Sequence, residues 1–228
     1  MRLAAPELLV DITGLRELAS IERRANALRI GALVTHATLE RSREVAEHAP
    51  LLAQAAAEVA HPAIRNRGTL GGSLALADPA AEYPACALAL EATLVLAGPR
   101  GERRVAARDF FRGLYETDVR PGELLVAAEF PRIERSVFLE LARRRGDYAI
   151  VGIAGVANKG ARCFAYCGVG PTPVLATNAS RATTLDAALQ ALRQDLNPAA
   201  DLYHSAATKL HLAGVLLSRA WNTLAKPH

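Results

Sequence analysis

Three glycines crowd the stretch Gly68-Thr69-Leu70-Gly71-Gly72-Ser73, and this is where residue types and spacing first suggest chemistry. Glycine loses more backbone entropy on folding than any other residue, so such clustering marks a chain that adopts positive φ or admits another group to its backbone. With no Cβ in the way, successive N–H groups can converge on an anion, and the hydroxyls of Thr69 and Ser73 add two donors at the same mouth. A phosphate cradle is one reading; a tight turn between a helix and a strand is the other. Glu82, after Asp78 and Pro79, is placed to accept hydrogen bonds from sugar-type hydroxyls as ionised carboxylates do. Its plainer alternative is a solvated helix residue.

Other chemistries lack support. The stretch has neither the Gly-Lys-Ser/Thr of a Walker loop nor the G-x-G-x-x-G of a dinucleotide fingerprint. The histidines, His36, His48, His61, His204, His211 and His228, show no metal-ligand spacing, and no metal site is expected. No G-x-S-x-G elbow occurs, so hydrolysis has no positive sign and no catalytic acid, base or nucleophile is assigned. Cys86, Cys163 and Cys167 are too few for the four thiolates of an iron–sulfur cluster or an all-cysteine zinc site. Cys163 and Cys167 lie four apart in an apolar segment of strand character, which puts both on one sheet face as small core residues.

The 228 residues are 51% hydrophobic and 22% charged, an ordinary globular composition for one or two domains. The longest uncharged apolar run, 148–157, is well short of the ~18 residues that cross a bilayer. Glu7 and Asp11 interrupt the N-terminal segment, so it does not read as a signal peptide, and a cytoplasmic location is expected. Net charge is +4, but no basic tract exceeds Arg143-Arg144-Arg145, and nucleic-acid binding is not implied.

The elements that must carry these residues follow from pattern. Residues 7–12 and 28–34 read as strands, 35–41 and 46–60 as helix, with Pro62 just beyond the end. Residues 64–73 are too rich in glycine and polar groups for a regular element and read as a loop. A helix over 80–88 leads to a hairpin, 92–96 with 103–106, across Gly98-Pro99-Arg100-Gly101. Residues 109–115 are irregular or briefly helical, and 123–130 form a strand ended by Pro131. Three strands, 136–142, 150–157 and 162–167, then precede two helices, 184–196 and 201–225. The fold class is α+β, with a second antiparallel β plus helix domain from about residue 134.

At Ile64-Arg65-Asn66, Thr69-Leu70-Gly71-Gly72-Ser73 and Asp78-Pro79-Ala80-Ala81-Glu82-Tyr83-Pro84-Ala85, the sequence resembles the second FAD-binding segment of the molybdenum hydroxylase flavoproteins. These are the carbon monoxide dehydrogenase medium-subunit and xanthine dehydrogenase FAD-domain proteins. The resemblance continues in order through Leu9-Val10-Asp11-Ile12, 28–36, Asp109-Phe110-Phe111-Arg112-Gly113, 144–151 and Gly168-Val169-Gly170-Pro171-Thr172-Pro173, so it covers nearly the whole chain. It implies a PCMH-type FAD-binding domain over 1–133 and a C-terminal domain of three antiparallel strands plus helices over 134–228. It implies FAD contacts from Thr69, Gly71, Gly72, Ser73 and Glu82, and approach to the flavin ring by Asp147, Tyr148 and Ile150. Tyr148 would neighbour the isoalloxazine, its alternative being a core tyrosine.

The resemblance further implies a division of labour. Substrate is oxidised at a molybdenum cofactor in a large subunit, electrons cross 2Fe–2S clusters in a small subunit, and the flavin passes them to an external acceptor. The absence of cluster ligands agrees with the flavin part alone. The family's strand, helix and first glycine-rich loop of Ala-Gly-Gly type are missing before Leu9. Losing three or four charge-assisted donors to a pyrophosphate forfeits about 5 to 10 kcal/mol, on the order of 10^3 to 10^7 in affinity. Weak FAD retention, or none, is therefore expected, and a flavin-free assembly subunit is the alternative function. Substrate and electron acceptor stay open.

Overall fold

In 27–31, Leu28 and Ile30 are fully buried while Ala27 and Arg29 are only partly so, the alternation of a strand with one face in a core. The computed structural model describes residues 7–226. Residues 1–6, the start of the segment read above for a signal peptide, and 227–228, with the last histidine, lie outside the described residues.

The first half runs from a 3-10 turn (Arg16–Ala19) to β1 (Ile21–Arg23) and β2 (Ala27–Gly31), then through six helices. These are α1 (His36–Arg41), α2 (Arg43–His48), α3 (Pro50–Glu58), α4 (Pro62–Arg65), α5 (Leu70–Leu76) and α6 (Glu82–Ala89). There follow β3 (Thr93–Gly98), β4 (Gly101–Ala106), α7 (Ala107–Phe110), the short pair β5 (Phe111–Gly113) and β6 (Glu116–Thr117), and β7 (Leu124–Pro131). The main strands form one antiparallel sheet in the order β1-β2-β7-β3-β4.

The second half has β8 (Arg135–Ala142), β9 (Ala149–Asn158), β10 (Ala161–Cys167), β11 (Val174–Leu175), α8 (Thr177–Arg181), α9 (Leu185–Asp195) and α10 (Ala206–Ala225). Its antiparallel sheet, β11-β10-β9-β8, has four strands where three are expected; β11 is a two-residue edge. α3 and α6 cover one face and α8 and α10 the other. Coverage on both sides explains why β9 reads as a continuous apolar run rather than an alternation.

The largest core cluster crosses residue 134. Leu52, Tyr83, Phe110 and Phe130 of the first half pack with Phe138, Val156 and Cys167 of the second. Gln54 of α3 adds a polar tie, its side-chain oxygen accepting from the Phe138 amide at 2.8 Å. A second cluster, with Phe164, Tyr166 and Trp221, lies under α9 and α10. Cys163 and Cys167 both pack toward the first cluster, so they do share a face, and the three cysteines are free.

Two expectations fail here. Residues 7–12 are irregular rather than a strand, with Leu8, Leu9 and Val10 exposed. β propensity is realised through packing against neighbouring strands, and this segment pairs with none among the described residues. Residues 64–73 are not a loop: α4 ends and α5 begins inside them.

Candidate functional site

The α3–α4 corner is held by one side chain, that of Arg65 at the end of α4. Arg65 donates from Nε to Glu40 Oε2 at 3.0 Å and from Nη1 to the carbonyls of Val59 and Ala60 at 3.2 and 3.0 Å. Ala60 itself has φ +43°. Beyond the corner, Thr69 lies opposite Thr35 in an isolated antiparallel bridge, with the His36 amide donating to Gly68 O and the Leu70 amide to Val34 O.

α5 forms although it contains Gly71 and Gly72 because its first turn is capped and its apolar side is buried. Thr69 Oγ1 accepts from the Gly72 amide at 3.1 Å, and Leu70 and Leu74, four apart, are buried. The amides of residues 70–73 are therefore all engaged: Leu70 with Val34 O, Gly71 with Ala32 O, Gly72 with Thr69 Oγ1 and Ser73 with Thr69 O. This corrects the expectation that they converge on an anion. Gly71 is glycine because its backbone lies on Ala32, where a Cβ would come within 2.4 Å of the Ala32 Cβ.

α6 brings the acids. Asp78 accepts from the Ala80 amide through Oδ1 at 2.9 Å and from the Tyr115 hydroxyl through Oδ2 at 3.3 Å. That turn delivers Glu82 to the first turn of α6, only 8% exposed, with no side-chain hydrogen-bond partner among the described residues. Burial, with Asp78 and Glu58 nearby, pushes its carboxyl up to about 7. The solvated alternative for Glu82 is thus excluded. Behind it, Glu140 of β8 is raised to about 8 by burial and by Glu82 and Glu58, and its Oε2 is buried without a partner.

Between the halves lies a cleft of about 590 Å³. Of the residues expected at the site, Thr69, Gly72, Ser73, Glu82, Asp147 and Tyr148 line it together. Gly71 and Ile150 do not: Gly71 is buried on Ala32, and Ile150 packs against the second core cluster. The second half contributes the turn 143–148, in which the Asp147 amide donates to Arg144 O and Gly146 has φ +83°. Tyr148 is 75% exposed on the cleft wall, not a core tyrosine.

The sequence reading missed His36, His61 and Arg67 as wall residues. The first two are brought there by the α1 cap and the α3–α4 turn, which carry no motif. His36 is buried, and burial with the Arg65 charge lowers its imidazole to about 4, so it is neutral at physiological pH. Hydroxyls, carboxylates, one guanidinium, an exposed aromatic ring and the apolar Ile64 and Leu76 share one wall, a donor set for an elongated ligand with both polar and planar parts.

Comparison with known proteins bears on this cleft. Residues 1–133 match the family described as FAD binding domain in molybdopterin dehydrogenase, and 136–224 match the CO dehydrogenase flavoprotein C-terminal domain. The 6-hydroxypseudooxynicotine dehydrogenase complex subunit alpha of Paenarthrobacter nicotinovorans is 42% identical over 158 residues, 68% of this chain; the match spans about half of that relative, 53%. The carbon monoxide dehydrogenase medium chain of Hydrogenophaga pseudoflava is 34% identical, covering 97% of this chain and 83% of the relative. Among solved structures, reconstituted CO dehydrogenase from Oligotropha carboxidovorans superposes with a TM-score of 0.94 at 33% identity, over 98% of this chain and 84% of that one.

Proposed function

Given that the chain belongs to the family of FAD-binding domains in molybdopterin dehydrogenases, with a CO dehydrogenase flavoprotein C-terminal domain following, we propose that it is the FAD-carrying subunit of a molybdenum hydroxylase. In this reading it takes electrons from 2Fe–2S clusters of a small subunit, reduced in turn by a molybdopterin-binding large subunit, and passes them to an external acceptor. We divide it at residues 133 and 134 and place it in the cytoplasm. Among the described residues no helix is long and apolar enough to cross a membrane.

The observation that carries the proposal is the cleft itself, where six residues expected to hold the cofactor meet from both halves of the chain. The wall also fits FAD chemically. Glu82, nine-tenths buried, faces the cleft and would accept hydrogen bonds from ribityl or ribose hydroxyls. Thr69 and Ser73 would add hydroxyl contacts, Gly72 would leave room for the ligand's approach, and Asp147 and Tyr148 would border the ring. When bound, FAD supplies reversible one- and two-electron chemistry; the protein's part is to bind, orient and exclude water. The C-terminal turn 143–148 would cover one side of the ligand while α5 and α6 hold the other.

Titrating the purified chain with FAD tests this. Weak but saturable quenching of flavin fluorescence, with Glu82→Ala weakening it further, is expected, as is co-purification with molybdopterin-containing and 2Fe–2S-containing chains when all are co-expressed. Unsaturable FAD signal together with no co-purifying partner would overturn the proposal.

A further inference from the structure

Arg65 and Arg67 stand two residues apart and meet opposite fates. Arg65 spends its guanidinium on Glu40 and two carbonyls. Arg67 makes no side-chain hydrogen bond or ion pair among the described residues, and it lines the cleft beside Gly68 and Thr69. Apart from the Tyr148 phenol, the other ionisable groups on that wall are acids, Asp78, Glu82 and Asp147, or histidines, of which His36 is held neutral. Arg67 is thus the one permanent cation among the described cleft residues. Asp11 senses its charge but uses Oδ1 on the Thr13 amide and forms no ion pair with it.

An anionic ligand entering this cleft meets the carboxylates of Asp78 and Asp147, with Glu82 adding negative charge only as it ionises, and finds the amides of 70–73 already bonded within the fold. Its charge must therefore be matched by a side chain. Resting on the flavin reading above, we infer that Arg67 is the counter-charge for the ligand's diphosphate, so that this residue makes the cleft prefer a dinucleotide over a phosphate-free flavin. A guanidinium suits the task, since its planar fork matches phosphate oxygens and it stays charged at any physiological pH.

The test compares the wild-type chain with Arg67→Gln and Arg67→Lys, titrated with FAD, riboflavin, ADP and inorganic pyrophosphate. Arg67→Gln is expected to weaken FAD and ADP by roughly 10- to 100-fold, the range of one charge-assisted contact, and to leave riboflavin unchanged. Arg67→Lys should fall between, and the salt dependence of ADP binding should flatten in the Gln variant. The inference is overturned if FAD and ADP are insensitive to Arg67→Gln, if riboflavin weakens equally, or if the wild type binds neither ADP nor pyrophosphate. Arg67-dependent ADP binding without riboflavin or FAD binding would keep the anion site and sink the flavin reading instead; unchanged FAD affinity in the variant would do the reverse.

Discussion

The α-carbon of Gly146 rests on the imidazole of His61: a Cβ at Gly146 would come within 2.6 Å of His61 Cε1 and 2.9 Å of the Ala60 carbonyl oxygen. The two residues come from opposite halves of the chain, and both line the cleft. The turn 143–148 is therefore seated on the α3–α4 corner, which Arg65 in turn holds through the Ala60 carbonyl. Placement of Asp147 and Tyr148 depends on a backbone contact rather than on either side chain.

Gly146→Ala is accordingly expected to loosen the cleft. The residue has φ +83°, where alanine is strained by about 1 kcal/mol or more, and the added methyl meets the ring and the carbonyl. Chemical denaturation should show a loss of about 2 kcal/mol, with weaker FAD binding. Adding His61→Ala should return only the part due to the ring. Full stability in the single variant would show that the contact does not position the turn.

The buried acids predict a pH dependence with a definite sign. Glu82 and Glu140 ionise at about 7 and about 8 in the fold, against 4.5 as their usual value. The folded chain keeps protons that the unfolded chain has released, so stability present at pH 4.5 is lost as pH rises toward 8. Glu140→Gln should match the wild type near pH 4.5 and exceed it above pH 8, by about 2 kcal/mol, since the carboxyl is only part-buried and solvent screens much of its charge. His36 works in the opposite sense, losing stability as pH falls from 6.5 toward 4, but it is common to both proteins and cancels. Urea unfolding at several pH values measures the gap; a gap that is flat with pH would contradict the burial argument.

How far the sequence carried can be read from particular residues. β2, the β3–β4 hairpin and β7 to β10 were legible because burial on one or both faces imposes alternation or continuous apolar runs. α1 and α9 were legible through their helical periodicity, with Thr35 and Thr184, read as the first helical residues, proving to be the N-caps. β1 was hidden because Ile21-Glu22-Arg23 is an edge strand with no fully buried residue. α10 begins only at Ala206, since Asp201 turns the preceding residues by accepting from the Tyr203 and His204 amides. The glycine stretch stood out by composition and does border the cleft, but its geometry was misread: Gly71 serves the packing of α5 on Ala32, a contact set by tertiary approach and invisible to spacing. Arg67 carried no local signal, because its freedom is defined by what Arg65 consumes.

Arg65→Met should be costly where Arg67→Met is not. Removing the Arg65 guanidinium leaves Glu40 without its partner and strips a donor from the Val59 and Ala60 carbonyls, all part-buried. The expected loss is about 2 to 3 kcal/mol, against less than about 0.5 for the exposed Arg67. Thermal unfolding of both variants measures this, and equal midpoints would mean that the corner does not depend on Arg65.

Gly71 and Gly72 are adjacent yet should respond differently to alanine. A methyl at Gly71 would be driven into Ala32, at 2.4 Å from its Cβ and 2.8 Å from its carbonyl oxygen, so α5 must shift away from β2. That overpacking costs about 1 to 3 kcal/mol and should appear as lower stability with or without flavin. At Gly72 the one neighbour within reach is Thr69 Oγ1 at 3.0 Å, and the position is exposed on the cleft wall. Alanine there gains helix propensity of up to about 1 kcal/mol, which offsets the tight contact, so stability should change little while FAD binding weakens. The discriminating measurement is paired: denaturation midpoint and FAD affinity on the same two proteins. If Gly71→Ala spared stability, or Gly72→Ala spared FAD, then the division between a glycine kept for packing and a glycine kept for ligand approach would be wrong.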